Sequence, residues 1–418
     1  MDKLIVYGGS ELNGEISISG SKNAVLPIMA ATIIEPGIYT LKNVPNLRDT
    51  QTMMKLMEMI GANVIFSNNS LQINTENCNS PLASYEVVKT MRASFYVLGP
   101  FMARFNKAEV SLPGGCAWGP RPINFHLEAL ESLGADVNLV NGMIVASGKL
   151  KGTTINFATS SVGATGNVIM AAVKAEGTTI INNAAREPEI EDLCRFLIKM
   201  GADIEGVGSS SIKVNGVDKL NSNIEHEIIP DRIEAGTYLI AAAISRGHLI
   251  LNNVNALHLG SVITSLELSG MDIDVFKNKI IIKPRLNEIM PVNIETEIYP
   301  GFPTDLQAQW MAYMTQANDS SEITESIYLD RFTHIGELTR LGAKINLVKN
   351  TANINGCSQL IGAPVMSTDI RASASLIIAA IVSQGKTEIS RIYHIDRGYE
   401  QIEKKLSSLG LDINRLLE

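Results

Sequence analysis

Cysteine, histidine, long apolar runs and basic runs are all scarce in this sequence, and each shortage excludes something. The 418 residues include 4 cysteines, at positions 78, 116, 194 and 357, and 6 histidines; neither set contains a closely spaced pair of the kind that ligates a metal. No apolar run approaches the roughly 20 residues that a membrane span requires. The opening stretch, Met-Asp-Lys-Leu-Ile-Val-Tyr-Gly-Gly, has neither the basic start nor the apolar segment of a secretory signal. The expectation is a cytosolic protein with reduced thiols, no membrane association and no metal or other cofactor. Lys and Arg form no dense cluster and the formal net charge is −8, which argues against a nucleic-acid partner. An anionic ligand must then be held by a few local basic groups against an unfavourable overall field.

What is present is an ordinary globular composition, 45% hydrophobic and 19% charged, in a chain too long for one typical core. One stretch stands out, Ser-Leu-Pro-Gly-Gly-Cys-Ala-Trp-Gly-Pro-Arg-Pro from Ser111 to Pro122. Glycines widen the accessible backbone conformations and prolines narrow them, so the segment suits a semi-rigid flap. It carries one thiol, Cys116, with Arg121 close behind. A neighbouring guanidinium favours thiolate and clamps anions, the setting of a cysteine that meets a negatively charged substrate. Taken alone, the stretch reads equally as a surface turn with an incidental cysteine.

A pattern recurs along the chain: a helix-like stretch, a glycine, a small or apolar residue, then alternating strand residues. It occurs at Ile60-Gly61-Ala62, Leu133-Gly134-Ala135, Met200-Gly201-Ala202, Ser269-Gly270-Met271, Leu341-Gly342-Ala343 and Leu409-Gly410-Leu411. The spacing of roughly 70 residues is too long for a small solenoid repeat and fits a compact unit rich in strand–helix–strand connections. A second marker, a turn leading into a strand near Gly37, Lys107, Gly177, Gly247, Ser320 and Gly385, keeps the same spacing. Stretches such as Thr165 to Ala175, Ile233 to Ser245 and Ala372 to Ser383 precede it and are apolar on most faces, which predicts buried helices. The sixth unit ends early, and residues 3–19 have the phase of its missing strands. The N-terminal hairpin is therefore expected to complete that unit. Three units per domain predict one domain at 20–229 and a discontinuous one at 1–19 plus 230–418, with a hinge at the two crossings and a ligand cleft between the domains.

The segments just before the six inner helices share one phase of the repeat. They contain Lys22 and Asn23, Arg92, Ser161 with Val162 and Gly163, Asp231 with Glu234, Thr304 and Asp305, and Asp369 with Arg371. Helix N-termini present unpaired N–H groups and a positive dipole end, so they can bind phosphates even in an acidic protein. The Ser, Thr and Asp residues serve equally well as N-caps. Lys22, Arg92 and Arg371 sit where a cation opposes the dipole, which suits an anionic ligand or else an ion pair with an acidic neighbour such as Asp231 or Asp369.

Together these segments resemble the UDP-N-acetylglucosamine 1-carboxyvinyltransferase family of enolpyruvyl transferases. The resemblance runs through Ser-Gly-Ser-Lys22-Asn23-Ala, Lys-Thr-Met-Arg92-Ala-Ser, Pro-Gly-Gly-Cys116 to Arg121-Pro122, Ser161-Val-Gly-Ala-Thr, Ala-Arg186-Glu187-Pro-Glu189-Ile, Pro-Asp231-Arg-Ile-Glu, Phe-Pro-Thr-Asp305-Leu-Gln-Ala-Gln, Thr-Asp369-Ile-Arg371-Ala-Ser and His-Ile-Asp-Arg397-Gly-Tyr. It implies two inside-out α/β domains, each of three βαβαββ-type units with buried helices. It also implies transfer of the enolpyruvyl group of phosphoenolpyruvate to UDP-N-acetylglucosamine at the start of peptidoglycan precursor synthesis. Lys22, Arg121 and Arg397 would hold the phosphate and carboxylate of phosphoenolpyruvate. Asn23, Arg92, the run Arg121, Pro122, Ile123, Asn124 and Phe125, the backbone at Ser161, Val162 and Gly163, and Asp305, Ile327, Asp369 and Arg371 would serve the nucleotide sugar and its pocket. Cys116 would protonate the vinyl carbon and be the target of fosfomycin, and Asp305 would take the proton of the sugar 3-hydroxyl.

The chain departs from the family pattern at three places. Thr159 stands where some members have lysine, Trp118 where a smaller apolar residue is usual, and Leu329-Asp330 where a Glu-Asn pair precedes Arg331. Two other readings compete: a 5-enolpyruvylshikimate-3-phosphate synthase-like transferase, and a non-catalytic nucleotide-binding repeat protein.

Overall fold

The structure, a computed structural model, describes residues 2–89, 91–112 and 123–417, with Arg92 described by its backbone alone. Cys116, Trp118, Arg121 and Pro122 lie outside the described residues.

The repeat becomes architecture through a helix ending that recurs at each glycine marker. Gly61, Gly134, Gly201, Gly270, Gly342 and Gly410 have φ of 102, 93, 95, 101, 104 and 99°, conformations closed to most side chains. At five of them the next N–H returns to a carbonyl five residues back, as from Ala62 to Met57 and from Ala343 to Leu338. This is the Schellman ending, which stops a helix and throws the chain into a strand.

Among the described residues there are six four-stranded sheets. In the one built from Thr154–Asn156, Thr178–Asn182, Ser211–Asn215 and Asp203–Glu205, the first two strands run parallel and the rest antiparallel. Its alternate residues are buried, including Ile155, Ile181, Ile212 and Val214, so one sheet face is covered and the other solvated. What covers it is an inner helix, Val162–Ala172, buried from Ala164 to Ala172. The equivalent helices are Lys22–Ala31, Leu98–Phe105, Arg232–Ser245, Gln307–Met314 and Ile370–Val382. A helix apolar on all sides has to sit inside, and three such helices with three sheets form each core.

The chain divides into two compact units, Gly20–Ile229 and Met1–Ser19 with Pro230–Glu418. In the first, the short strand Glu225–Glu227 near the end of the segment pairs in parallel with Ile38–Lys42 near its start, which closes the unit on itself. In the second, the N-terminal segment does the closing, but not as a hairpin. Strand β1 (Lys3–Tyr7) lies between Lys386–Ser390 and Asp412–Leu416 and completes the sixth sheet. Strand β2 (Gly14–Ser17) pairs in parallel with Leu249–Asn252 and forms the edge of the fourth. The expectation that both strands belong to the sixth unit is thus corrected. Each unit needs a parallel strand before its inner helix, and β2 stands in that position for the helix Arg232–Ser245.

Candidate active site

In the unit containing residues 230–418, the starts of three inner helices gather the chemistry. Asp231 caps Arg232–Ser245 through the N–H groups of Ile233 and Glu234, at 2.8 and 3.0 Å. Asp369 caps Ile370–Val382 through those of Arg371 and Ala372, at 2.8 and 3.2 Å. For both aspartates the capping role is what the structure displays. Asp305 differs. It lies within the 3₁₀ turn Thr304–Leu306, whose start has no side-chain cap.

The Asp305 carboxylate is gripped from two sides. Arg371 Nη2 lies 2.6 Å from Oδ2 and Arg331 Nη1 lies 2.8 Å from Oδ1. Both arginine side chains are buried, whereas that of Asp305 is 27% exposed. The direct ion-pair contact of Arg371 is therefore with Asp305, and the Asp231 charge adds a smaller favourable influence. Arg371 also donates from Nη1 to the Tyr399 hydroxyl at 3.2 Å. That hydroxyl lies 2.8 Å from Thr237 Oγ1, and Gln309 donates to Thr237 Oγ1 and to the Asp305 carbonyl, at 3.2 and 3.0 Å. Burial opposes the charge on Arg371, but Asp305 prevails and holds the guanidinium more firmly protonated than usual. Each carboxylate oxygen keeps lone pairs beyond its arginine contact, so Asp305 can still accept from a hydroxyl on its exposed side.

Two glycines set this geometry. A Cβ on Gly236 would stand 2.4 Å from Leu306 Cδ1, so the turn bearing Asp305 rests directly on the helix Arg232–Ser245. A Cβ on Gly398 would stand 2.7 Å from Ile370 Cγ2, so the turn Ile392–Arg397 rests on the start of Ile370–Val382. That turn ends in the half-buried Arg397. Burial and the Arg397 charge lower the proton affinity of neighbouring His394. Ile327 is half-buried in the loop that leads to Arg331, its N–H donating to Glu325 Oε1 at 2.9 Å.

In the unit 20–229, Lys22 is buried at the first position of Lys22–Ala31, and half-buried Asn23 follows it. Lys22 Nζ lies 3.6 Å from Oδ2 of Asp49, itself buried in the first turn of Arg48–Met59. A buried ammonium at the positive end of a helix is placed to suit an anion, and the Asp49 carboxylate beside it offsets its charge. The Arg92 backbone opens the 3₁₀ helix Arg92–Val97. Ser161 caps Val162–Ala172 by accepting from Ala164 N at 3.4 Å. Against Gly163 stands His126, since a Cβ there would lie 3.2 Å from its Cε1 and Nε2. The amide of Asn167 is oriented by Gly99 N–H on its oxygen and the Phe95 carbonyl on its nitrogen. It therefore donates to His126 Nδ1 at 2.9 Å and leaves the imidazole proton on Nε2. His126 belongs to the helix Asn124–Ser132, which Ile123 precedes and in which Asn124 bonds to Glu128 and Phe125 meets the Phe157 ring at 6.0 Å.

The sequence shows kinship with known proteins. Residues 6–406 match the family described as EPSP synthase (3-phosphoshikimate 1-carboxyvinyltransferase). The chain belongs to the EPSP synthase family of enolpyruvyl transferases. It is 52% identical to a protein of Chlorobium luteolum named UDP-N-acetylglucosamine 1-carboxyvinyltransferase, over 99% of this chain and 98% of that protein. A protein of Geotalea uraniireducens with the same name is also 52% identical, over 100% of both. Among solved structures, the enolpyruvyl transferase NikO from Streptomyces tendae superposes with a TM-score of 0.91 at 22% identity, covering 99% of this chain and 98% of that one. EPSP synthase from Acinetobacter baumannii superposes with a TM-score of 0.79 at 16% identity over 100% of both. These two likenesses establish the α/β fold.

Several groups in this enolpyruvyl transferase escaped the sequence reading. Arg331, Tyr399, Gln309, Asp49 and His126 each touch a residue singled out from sequence. For Arg331 the sequence offered only its place directly after the Leu329-Asp330 departure; that Leu329 is 59% exposed and Arg331 buried is decided by the fold. An arginine turned inward needs an acidic partner, here the partly exposed Asp305.

Proposed function

We propose that this enolpyruvyl transferase moves the enolpyruvyl group of phosphoenolpyruvate to the 3-hydroxyl of UDP-N-acetylglucosamine and releases phosphate, in the cytosol and at the entry to peptidoglycan precursor synthesis. Identity of 52% along the full length to proteins named for that reaction supports the choice of acceptor. The observation that carries the mechanism is the Asp305 carboxylate, partly exposed and fixed by two buried arginines.

The reaction needs an acid at one carbon of the vinyl group and a base at the incoming hydroxyl. Cys116 gives a proton to C3 of phosphoenolpyruvate, which leaves C2 electrophilic. Asp305 takes the proton of the 3-hydroxyl as its oxygen bonds to C2. A proton then leaves C3 for the Cys116 thiolate, restoring the double bond as the C2–O bond to phosphate breaks and phosphate departs with the bonding pair. Lys22, Arg121 and Arg397 hold the phosphate and carboxylate charges through both steps, which lowers the barrier electrostatically. Asn23, Arg92, Ile123, Asn124, Phe125, Ser161, Val162, Gly163 and Ile327 bind the nucleotide sugar, with Asp369 and Arg371 shaping the pocket around Asp305.

Phosphate release from phosphoenolpyruvate tests the proposal. Turnover is expected with UDP-N-acetylglucosamine and not with shikimate 3-phosphate. The reverse preference would assign the chain to the other branch of its family, and no release with either acceptor would refute an enolpyruvyl transfer to these substrates.

A further inference from the structure

A buried carboxylate that no proposed step uses is tied to this site by an unbroken chain of hydrogen bonds. Glu325 has no solvent exposure. Its Oε1 accepts from Thr296 Oγ1 at 2.7 Å and from the N–H groups of Ile327 and Tyr328 at 2.9 Å each. Its Oε2 accepts from Thr304 Oγ1 at 2.9 Å. The Thr304 hydroxyl, its proton directed at Glu325, turns its lone pairs outward and accepts from Arg331 Nη1 at 3.0 Å. That same Nη1 lies 2.8 Å from Asp305 Oδ1. The backbone of Glu325 is held as well, by Asn350 O at 2.8 Å on its N–H and by Asn350 Nδ2 at 3.0 Å on its carbonyl.

Two hydroxyls and two backbone N–H groups converge on this carboxylate, and an apolar residue of similar size would leave those buried donors unpaired. Nor can an apolar side chain define the rotation of the Thr304 hydroxyl, order the turn 325–328 and thereby place Arg331. We infer that Glu325 is a positioning residue for proton transfer, acting through Thr304 and Arg331 on Asp305. The inference rests on Asp305 being the proton acceptor proposed above. Through the N–H groups of Ile327 and Tyr328, the same carboxylate also shapes the loop proposed to meet the nucleotide sugar.

The test is steady-state kinetics with thermal unfolding on Glu325→Gln, Thr304→Val, Thr304→Ser and Asp305→Asn. In Glu325→Gln an amide NH₂ faces Thr304, and the hydroxyl can no longer donate there. In Thr304→Val the hydroxyl is gone but the shape is kept. For both, kcat should fall roughly ten- to hundredfold, the scale of a misplaced reacting group, in a protein that still folds but melts at a lower temperature, because a buried partner loses its hydrogen bond. KM for UDP-N-acetylglucosamine in Thr304→Val should stay within about twofold, because the lost interaction matters in the transition state. Thr304→Ser should recover most of kcat. The Glu325→Gln/Thr304→Val double variant should be no worse than the worse single one, since the residues act as one chain. Should Glu325→Gln not fold, the Thr304→Val and Thr304→Ser pair decides. Wild-type kcat in a folded Thr304→Val protein, no recovery in Thr304→Ser, or multiplying losses in the double variant overturns the inference. Asp305→Asn separates the two levels. Near-wild-type turnover there removes the base assignment and the inference with it, whereas a large loss there beside an unimpaired Thr304→Val removes the inference alone.

Discussion

Arg371 and Asp305 form a contact of 2.6 Å in which the arginine is buried and the aspartate is not. The second Nη of the same guanidinium reaches Tyr399, so the planar group ties the carboxylate to the inner helices. A lysine has one nitrogen and cannot span both partners. Arg371→Lys is expected to lower turnover roughly tenfold or more by letting Asp305 shift. It should also cost about 1–3 kcal/mol, because the Tyr399 hydroxyl loses a donor in a buried place. Kinetics with urea unfolding checks both, and unchanged turnover would show that Arg371 is not needed to hold Asp305.

Thiol reactivity should be selective. Burial pushes Cys78 up to about 11, with Arg104 only partly offsetting it, and pushes Cys194 up to about 12. At neutral pH neither presents appreciable thiolate. An epoxide phosphonate such as fosfomycin is expected to alkylate Cys116, and Cys116→Asp should resist it while keeping some turnover. Peptide mass spectrometry after labelling is the measurement. Adducts at exposed Cys357 in place of Cys116 would show that the wrong thiol has been chosen.

Stability should fall in mild acid because of His334. This imidazole is buried, stacks on Phe332 at 6.4 Å, and is lowered to about 4 from its ordinary 6.5, by burial first and by Arg331 against the opposing pull of Asp369. The neutral form is favoured in the folded protein, so its contribution is complete above pH 6.5 and is lost as pH falls toward 4, where only the unfolded chain takes up the proton. Between pH 7 and pH 5 the loss from this residue is about 2 kcal/mol. Urea unfolding of the wild type and His334→Phe at both pH values should show a smaller drop in the variant. Equal drops would place the acid sensitivity elsewhere.

Removing residues 1–19 should damage one unit and spare the other. The strand Asp412–Leu416 pairs only with β1 among the described strands, and Leu249–Asn252 loses its outer neighbour when β2 goes. Ser19 N–H also donates to buried Glu234 at 2.7 Å, a hydrogen bond that the truncation removes. Limited proteolysis of the truncated protein is expected to cut within 230–418 and leave 20–229 resistant. The opposite pattern would contradict the strand pairing described above.

Much of the fold was legible in single stretches of sequence, because the causes are local. A glycine at φ near 100° after each outer helix, an inner helix apolar on every face, and an aspartate placed to receive the first free N–H groups are requirements met within a few residues. They were sufficient for the sixfold repeat and the buried helices, and they offered capping for Asp231 and Asp369 as one reading beside ligand binding and ion pairing, which the structure then displays. They were not sufficient where near-equivalent partners compete. The six similar sheets among the described residues each take a parallel edge strand and an inner antiparallel one, and only the closing of the unit sends β1 between two strands of one sheet and β2 to the edge of another. Asp305 shares its phase of the repeat with two capping aspartates, yet it does not cap. Two arginines distant in sequence reach it first, and the turn bearing it lies where Gly236 and Leu306 press it against its neighbour helix. The sequence by itself determined which residues are chemically able to act. Which of them meet was decided by packing, because a charge buried with its partner depends on distances that no stretch of chain contains.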